Sequence, residues 1–129
     1  MGLQGLENGA TVIGGAPNYD SDHAGQINRI FELARHYDVD VDMHIDSGHD
    51  PSSIDTPLVA DLTEKYKLGG RVAMGHVTKV AGLPPDQQKD IAKRLADVGV
   101  AVTVLPATDL FAPLRWSPWG PATRCICPT

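Results

Sequence analysis

The sequence lacks two features that would indicate particular partners, a basic excess and a long apolar run. Its 129 residues hold 11 Lys and Arg against 16 Asp and Glu, and the formal charge is −5. The basic residues are scattered, so no patch would follow a phosphate backbone. No apolar stretch approaches the roughly 20 residues that cross a bilayer, and the first residues lack the plan of a signal peptide. We therefore expect a cytoplasmic protein with neither a nucleic-acid nor a membrane partner.

Cysteine is also scarce, since Cys125 and Cys127 are the only two. A pair so close together is not the framework of a disulfide-stapled secreted domain. The two thiols could form half of a metal clamp, but without a second pair we favour an unstructured segment over a metal site. Residues 114–129, which also hold both tryptophans, show neither helical nor alternating periodicity. We expect irregular structure there, after a single folded unit at residues 1–113.

Regular alternation of strand-like and helix-like segments is what the sequence does contain. Three segments with apolar residues at helical spacing separate four β-branched runs, which cover residues 10–13, 39–45, 71–74 and 100–105. The order is β-α-β-α-β-α-β, and the strand ends recur at about the 31-residue spacing of a (β/α)8 barrel unit. The sequence therefore predicts an α/β fold of parallel β/α units. A doubly wound open sheet shows the same alternation, so spacing alone leaves that alternative open.

Capping signals locate the predicted helix boundaries. Thr56 can cap the second helix with Pro57 at its first position, and Pro84-Pro85 precedes the third helix. Glycines at Gly69-Gly70 and at Gly99 predict where the second and third helices end.

Histidines end the second and third predicted strands, at His44 and His76, which are 32 residues apart. One β/α unit separates them, so both imidazoles would lie at the same mouth of a parallel sheet, where they could bind zinc or iron. The alternative for His44 is a core histidine bonded to Asp42. If His76 lines the inner face, strand alternation places Val72 and Met74 there as well, where another chain would have to cover them.

Other polar residues near these strand ends are weaker candidates. Asn18, in the loop after the first strand, and Asp109, just past the fourth, could contact substrate. Asp46 follows His44 and alternation predicts that it shares the His44 face. We expect His23 to be exposed or a local cap partner and His36 to be solvated, and we assign no role to His49.

Four segments together resemble the cytosine deaminase and N-isopropylammelide hydrolase branch of the metal-dependent amidohydrolase superfamily. The resemblance covers roughly residues 3 to 113 and rests on Val12-Ile13-Gly14-Gly15-Ala16-Pro17, Val41-Asp42-Met43-His44-Ile45-Asp46, Gly70-Arg71-Val72-Ala73-Met74-Gly75-His76 and the run from Gly99 to Asp109.

The resemblance implies a partial (β/α)8 barrel, about half of the whole, that contains strands four to seven. His44 would match the metal ligand that ends the fifth strand. His76 would match the histidine that ends the sixth, which either polarises water or substrate or binds a second ion. The implied reaction is attack of a metal-activated hydroxide on a C–N carbon of a cytosine- or triazine-like heterocyclic amine or amide.

The sequence departs from this family in its metal ligands and in the acid that transfers protons. The family's His-x-His pair and its eighth-strand aspartate have no counterpart, and Ser47 stands where the deaminases carry a proton-shuttling glutamate. Asp46 could partly replace that acid. We expect the isolated chain to be inactive, either as a fragment of a C–N hydrolase or, alternatively, as a non-catalytic remnant or half-barrel that associates with itself or a partner chain.

Overall fold

The computed structural model describes residues 2–109, which form four strands and four α-helices. The elements are α1 (Gly2–Glu7), β1 (Val12–Gly15), α2 (His23–Tyr37), β2 (Asp40–Ile45), α3 (Thr56–Tyr66), β3 (Val72–His76), α4 (Pro85–Val98) and β4 (Val100–Thr103). Short 3-10 turns at Pro17–Tyr19 and Thr78–Gly82 follow β1 and β3. The predicted alternation of β/α units is confirmed, and the helix α1 was not predicted. The predicted irregular segment at 114–129, with Cys125 and Cys127, lies outside the described residues.

The four strands form one parallel sheet in the order β1-β2-β3-β4. Right-handed crossovers between strands in sequential order place all the helices on one face of the sheet. A doubly wound sheet instead reverses its strand order to cover both faces. The sheet order therefore decides between the two architectures and favours the barrel type.

Strand β2 shows the predicted division between its faces. Val41, Met43 and Ile45 are buried, while Asp40, Asp42 and His44 are exposed. The buried face packs under α2 and α3, whose Phe31, Ile27 and Val59 are fully buried. Burying this apolar face is the main source of stability for the unit.

The expectation that Val72 and Met74 line the inner face with His76 is wrong. They pair with Val41 and Met43 of β2 and are buried on the helix side, with exposures of 3% and 0%. His76 leaves the alternation because its backbone is left-handed, with φ of 72°. The helices therefore cover both apolar residues without a second chain.

The helix ends differ in part from the predicted ones. Helix α4 ends at Gly99, as predicted, with φ of 73°. Helix α3 ends before the predicted glycines, at Lys67, which adopts the left-handed conformation itself with φ of 57°. Thr56 is the first residue of α3 and not its cap.

Strand β1 occupies 12–15, two residues beyond the predicted run at 10–13. The absence of a Cβ at Gly14 lets β1 approach β2 closely, because a Cβ there would clash with the carbonyl oxygen of Asp42. Strand β4 is shorter than predicted and ends at Thr103. Within residues 2–109, none of the helices has the length and apolarity to cross a membrane.

Candidate functional site

His44 and His76 meet at the carboxyl-terminal edge of the sheet, as the sequence predicts. Nδ1 of His44 lies 3.1 Å from Nε2 of His76, and their ring centroids are 5.1 Å apart. His44 is exposed on the inner face, and the described hydrogen bonds include none between it and Asp42. The alternative of a core histidine bonded to Asp42 therefore does not describe this residue.

Two local features of β3 bring His76 to this position. The left-handed backbone at His76, with φ of 72°, turns its ring away from the helix side, where Ile45 is its register partner. Gly75 pairs with His44, and a Cβ at Gly75 would lie 3.3 Å from Nδ1 of His44. A larger residue at position 75 would crowd the imidazole, so the glycine gives His44 its space.

Asp109 completes a chain of three side chains. Its Oδ1 lies 2.6 Å from Nδ1 of His76, and its Oδ2 accepts a hydrogen bond of 3.0 Å from the Leu105 backbone N–H. The side chains of His76 and Asp109 are largely buried, with exposures of 14% and 13%. The hydrogen bond from His76 is the main cause that lowers the pKa of Asp109 below its ordinary value, against the opposing effect of burial. Asp109 is therefore an anion that accepts hydrogen bonds.

The two imidazoles suit part of a zinc or iron site. Two nitrogens bound to one tetrahedral zinc are about 3.3 Å apart, given Zn–N bonds of about 2.0–2.1 Å. The 3.1 Å between Nδ1 of His44 and Nε2 of His76 is close to that spacing. The carboxylate of Asp109 behind His76 is the usual second partner of a metal-binding histidine. Among residues 2–109, however, no three His, Cys, Asp or Glu side chains converge to hold an ion.

Asp46 does not share the face of His44, contrary to the sequence prediction. Its backbone is left-handed, with φ of 51°, and its carboxylate is fully buried at the start of α3. There it accepts hydrogen bonds from the N–H groups of Asp55 and Thr56 and, at 2.6 Å, from the hydroxyl of Thr56. Because a carboxylate at a helix start is stabilised by those amides, Asp46 is held away from the mouth.

Asn18 was a candidate for substrate binding, and both polar atoms of its carboxamide form a hydrogen bond with the backbone. Its Oδ1 accepts from the Asp46 N–H at 3.0 Å, and its Nδ2 donates to the Ser47 carbonyl at 3.1 Å. These bonds fasten the loop after β1 to the loop after β2. The geometry supports a loop-positioning role for Asn18.

A polar cavity of about 290 Å³ opens beside His76 and Asp109. Its other lining residues are Tyr19, Ser47, Gly48, His49, Thr78 and Thr108. Thr78 holds the rim together, because its hydroxyl donates to the Gly48 carbonyl and accepts from the Gly48 N–H, both at 3.0 Å. The volume is at the lower end of the range for ligand pockets and suits a small molecule.

A larger cavity, of about 530 Å³, lies between α4 and β4 and is mostly apolar. Val102 and Val104, with exposures of 45% and 69%, line it. His76 and Gln88 are its polar lining residues, so it borders the site at His76, and the rest of its lining resembles a packing surface.

In the part of the chain that the structure describes, the remaining histidines form no hydrogen bond with His44, His76 or Asp109. His23 bonds to Asp55 at 2.9 Å, which joins the starts of α2 and α3. His36 stacks edge-on against Tyr37 at the end of α2. His49 is exposed at the cavity rim.

The sequence interpretation missed the bond between His76 and Asp109 and the cap that Asp46 provides for α3. Asp46 is ten residues from Thr56, outside the short spacing of a capping box, so no local motif signals it. The left-handed turn at His76 had no sequence signal either, because glycine and asparagine are the residues that usually mark it.

Comparison with solved structures identifies the fold. The chain resembles 5-methylcytosine deaminase from Klebsiella pneumoniae, in complexes with phosphonocytosine and with 5-fluorocytosine, at TM-scores of 0.83 and 0.84 and 22% identity. The match covers 93% of this chain and 30% of that enzyme. N-isopropylammelide isopropylaminohydrolase from Burkholderia multivorans matches at a TM-score of 0.68 and 21% identity, over 78% of this chain and 26% of that one.

A curated relative points in the same direction. Pterin deaminase from Rhizobium rhizogenes is 20% identical over 100 residues, which are 78% of this chain and 23% of that enzyme. No protein-family model matches the chain. The chain spans about a quarter to a third of the length of these proteins. Its fold is a partial (β/α)8-type barrel, and the predicted resemblance to the cytosine deaminase and N-isopropylammelide hydrolase branch is confirmed in its structural neighbours.

Proposed function

We propose that the chain is a portion of a metal-dependent amidohydrolase that hydrolyses a non-peptide C–N bond in a cytosine- or triazine-like heterocycle. The observation that supports this most is the approach of His44 and His76 to 3.1 Å at the ends of adjacent strands. The names of the neighbours, two of them deaminases and one an aminohydrolase, support the same reaction class.

His44 and His76 are the residues that would hold a divalent metal, zinc or iron, through Nδ1 and Nε2 respectively. A metal bound there supplies Lewis acidity, which makes water a hydroxide-like nucleophile near neutral pH. Asp109 orients His76 from behind, at 2.6 Å. His76 therefore combines the predicted roles of metal ligand and catalytic histidine, and the cavity beside it is where we place the heterocycle.

The proton-shuttling acid is not among the described residues of this mouth. Ser47 lines the cavity at the position where the resemblance implies a glutamate, and a hydroxyl cannot perform that acid's role at neutral pH. The carboxylate of Asp46, the predicted substitute, accepts hydrogen bonds from the start of α3 and does not face the cavity. Asp109, the predicted substrate contact, directs its carboxylate to His76 and Leu105. We propose that Asp46 and Asp109 support the site from behind.

Isothermal titration of the purified chain with Zn²⁺ and Fe²⁺, together with an ammonia assay on cytosine, 5-methylcytosine and aminotriazines, tests this function. We expect weak metal binding, because two imidazoles are fewer than the three protein ligands of a catalytic zinc, and no ammonia release from the isolated chain. Metal binding should weaken at least about tenfold in His44→Gln and in His76→Gln, because each variant removes one of the two nitrogen ligands. Binding that is unchanged in both variants would refute the metal site.

A half-barrel that requires a partner chain is the second candidate. Strands β1 and β4 each have one paired edge in the described sheet, and Val12 on the inner side of β1 is 49% exposed. Open parallel edges and exposed apolar side chains favour association. Light scattering at micromolar concentration tests this candidate. A dimer or larger species is expected, and a stable monomer would contradict it.

A further inference from the structure

The hydrogen bonds around His76 determine which of its ring nitrogens carries hydrogen. Asp109 approaches Nδ1 at 2.6 Å, and its other oxygen is occupied by the Leu105 N–H. An ionised carboxylate only accepts hydrogen bonds, so Nδ1 of His76 must be the donor. In the neutral imidazole, the lone pair is then on Nε2, the atom that faces His44.

We propose that Asp109 is a positioning residue that holds His76 in the tautomer protonated at Nδ1 and so presents the Nε2 lone pair to the mouth. This proposal rests on the proposed function in one respect, that a metal is what the lone pair would bind. A separate backbone bond closes the helical turn from Leu105 to Asp109, where the Asp109 N–H donates to the Leu105 carbonyl at 2.8 Å. This turn places the Asp109 carboxylate beside His76.

The tautomer of His76 constrains its neighbour. Because Nε2 of His76 is an acceptor in the neutral pair, the 3.1 Å bond between the rings must run from Nδ1 of His44 to Nε2 of His76. A metal at this position needs lone pairs on both of these nitrogens. His44, which has no carboxylate behind it among the described hydrogen bonds, is then the residue whose hydrogen moves from Nδ1 to Nε2.

Long-range nitrogen–proton NMR on chain labelled with ¹⁵N-histidine tests the proposal without a metal. At a pH where the imidazoles are neutral, we expect pyrrole-type Nδ1 and pyridine-type Nε2 signals for His76. Asp109→Ala should shift His76 to the opposite tautomer. Asp109→Asn keeps a side-chain oxygen as acceptor and should largely restore the original pattern.

Zinc titration supplies the second readout. Loss of such an outer partner typically weakens metal binding by about 10- to 100-fold, so we expect a loss of that size in Asp109→Ala and a smaller one in Asp109→Asn. The matched control is Asp55→Asn, because Asp55 forms the other carboxylate–histidine pair, with His23 at 2.9 Å. It should change the His23 signals alone and leave zinc affinity unchanged.

The outcomes separate this proposal from the proposed function. A His76 protonated at Nε2 in the wild-type chain would overturn the positioning role even if zinc binds. The same holds if Asp109→Ala, which removes the acceptor of the His76 hydrogen bond, changes neither the tautomer nor the zinc affinity. The expected tautomers in a chain that binds no zinc at all would instead leave the positioning role standing and refute the metal-dependent function. If Asp109→Ala does not fold, the wild-type tautomer still decides the matter, because the proposal requires hydrogen on Nδ1 of His76 and not on Nε2.

Discussion

The sheet has an amino-terminal edge and a carboxyl-terminal edge, where the parallel strands begin and end. Residues in the left-handed backbone conformation occur at both edges but serve different purposes. At the amino-terminal edge, left-handed residues end the three longer helices, at Asp38, Lys67 and Gly99. At the carboxyl-terminal edge, left-handed residues follow β2 and end β3, at Asp46 and His76. The first set reverses the chain, which is the common way for helices to end. The second set redirects side chains.

The polar contacts at the two edges also differ, because those at the amino-terminal edge are exposed and those at the carboxyl-terminal edge are mostly buried. At the amino-terminal edge, Arg71 binds Asp38 and Asp40 at 2.6 and 2.7 Å, in an exposed ion pair that contributes little to stability. At the carboxyl-terminal edge, the bonds of Asp46 and Asp109 are buried or nearly so. These buried polar interactions therefore lie at the carboxyl-terminal ends of the strands, where barrel enzymes carry their chemistry.

The largest expected effect is at the carboxyl-terminal edge, from Asp46→Ala. It removes the buried acceptor of the amides of Asp55 and Thr56, so we expect the free energy of unfolding to fall by about 3 kcal/mol, from loss of a cap and of buried hydrogen bonds. Urea denaturation measures it. Asp46→Asn keeps one side-chain oxygen, so its free energy of unfolding should fall less. A fall of less than about 1 kcal/mol in Asp46→Ala would show that this carboxylate is not the cap of α3.

An intermediate effect is expected at the amino-terminal edge, where a left-handed residue should favour glycine. Gly99→Ala should destabilise the chain by about 1–2 kcal/mol because of its positive φ, and a Cβ there would also lie 3.0 Å from the Gly70 nitrogen. Lys67→Gly should stabilise it by about 0.5–1 kcal/mol. Thermal and urea unfolding measure both variants. If both change the free energy of unfolding in the same direction, the left-handed conformation is not what determines their effects.

The smallest effect is expected from Arg71→Met. The hydrogen bond from Arg71 is the first cause that lowers the pKa of Asp38 from its ordinary value of 3.8. A depressed folded-state pKa contributes stability above the unfolded value and loses it as pH falls through the folded one. The small difference between wild type and variant should therefore begin to shrink as the pH falls below about 4, vanish only below the lowered folded-state pKa of Asp38, and also shrink in high salt. A difference that grows in acid would contradict this origin.

The sequence predicted the fold better than the side chains of the site. Strand and helix order followed from apolar periodicity, and the 32-residue spacing placed His44 and His76 at one edge. The prediction of sheet faces from strand alternation failed where the backbone is left-handed. For that reason Val72 and Met74 were predicted on the wrong face of the sheet, and Asp46 was predicted on the face of His44. Such turns at non-glycine residues depend on tertiary contacts, here the buried helix start that Asp46 caps, and no local pattern shows them.

The contacts of Asn18 and Asp109 were missed for a related reason. Both residues were predicted at the mouth from their places in loops after strands, which was right about position. Their partners, the Asp46 and Ser47 backbone and the His76 ring, lie 28 to 33 residues away in sequence. Only the register of the parallel sheet brings such distant residues within hydrogen-bond distance.

The role of His44 and His76 as metal ligands is tested by comparing the zinc affinity of the wild-type chain with that of His44→Gln, His76→Gln and His36→Gln. His36 lies at the end of α2, in the region where helices only reverse direction, and serves as the matched control. We predict a measurable zinc affinity that falls at least about tenfold in each of the first two variants and is unchanged in the third. Equal affinities in all four proteins, or a loss in His36→Gln alone, would contradict it.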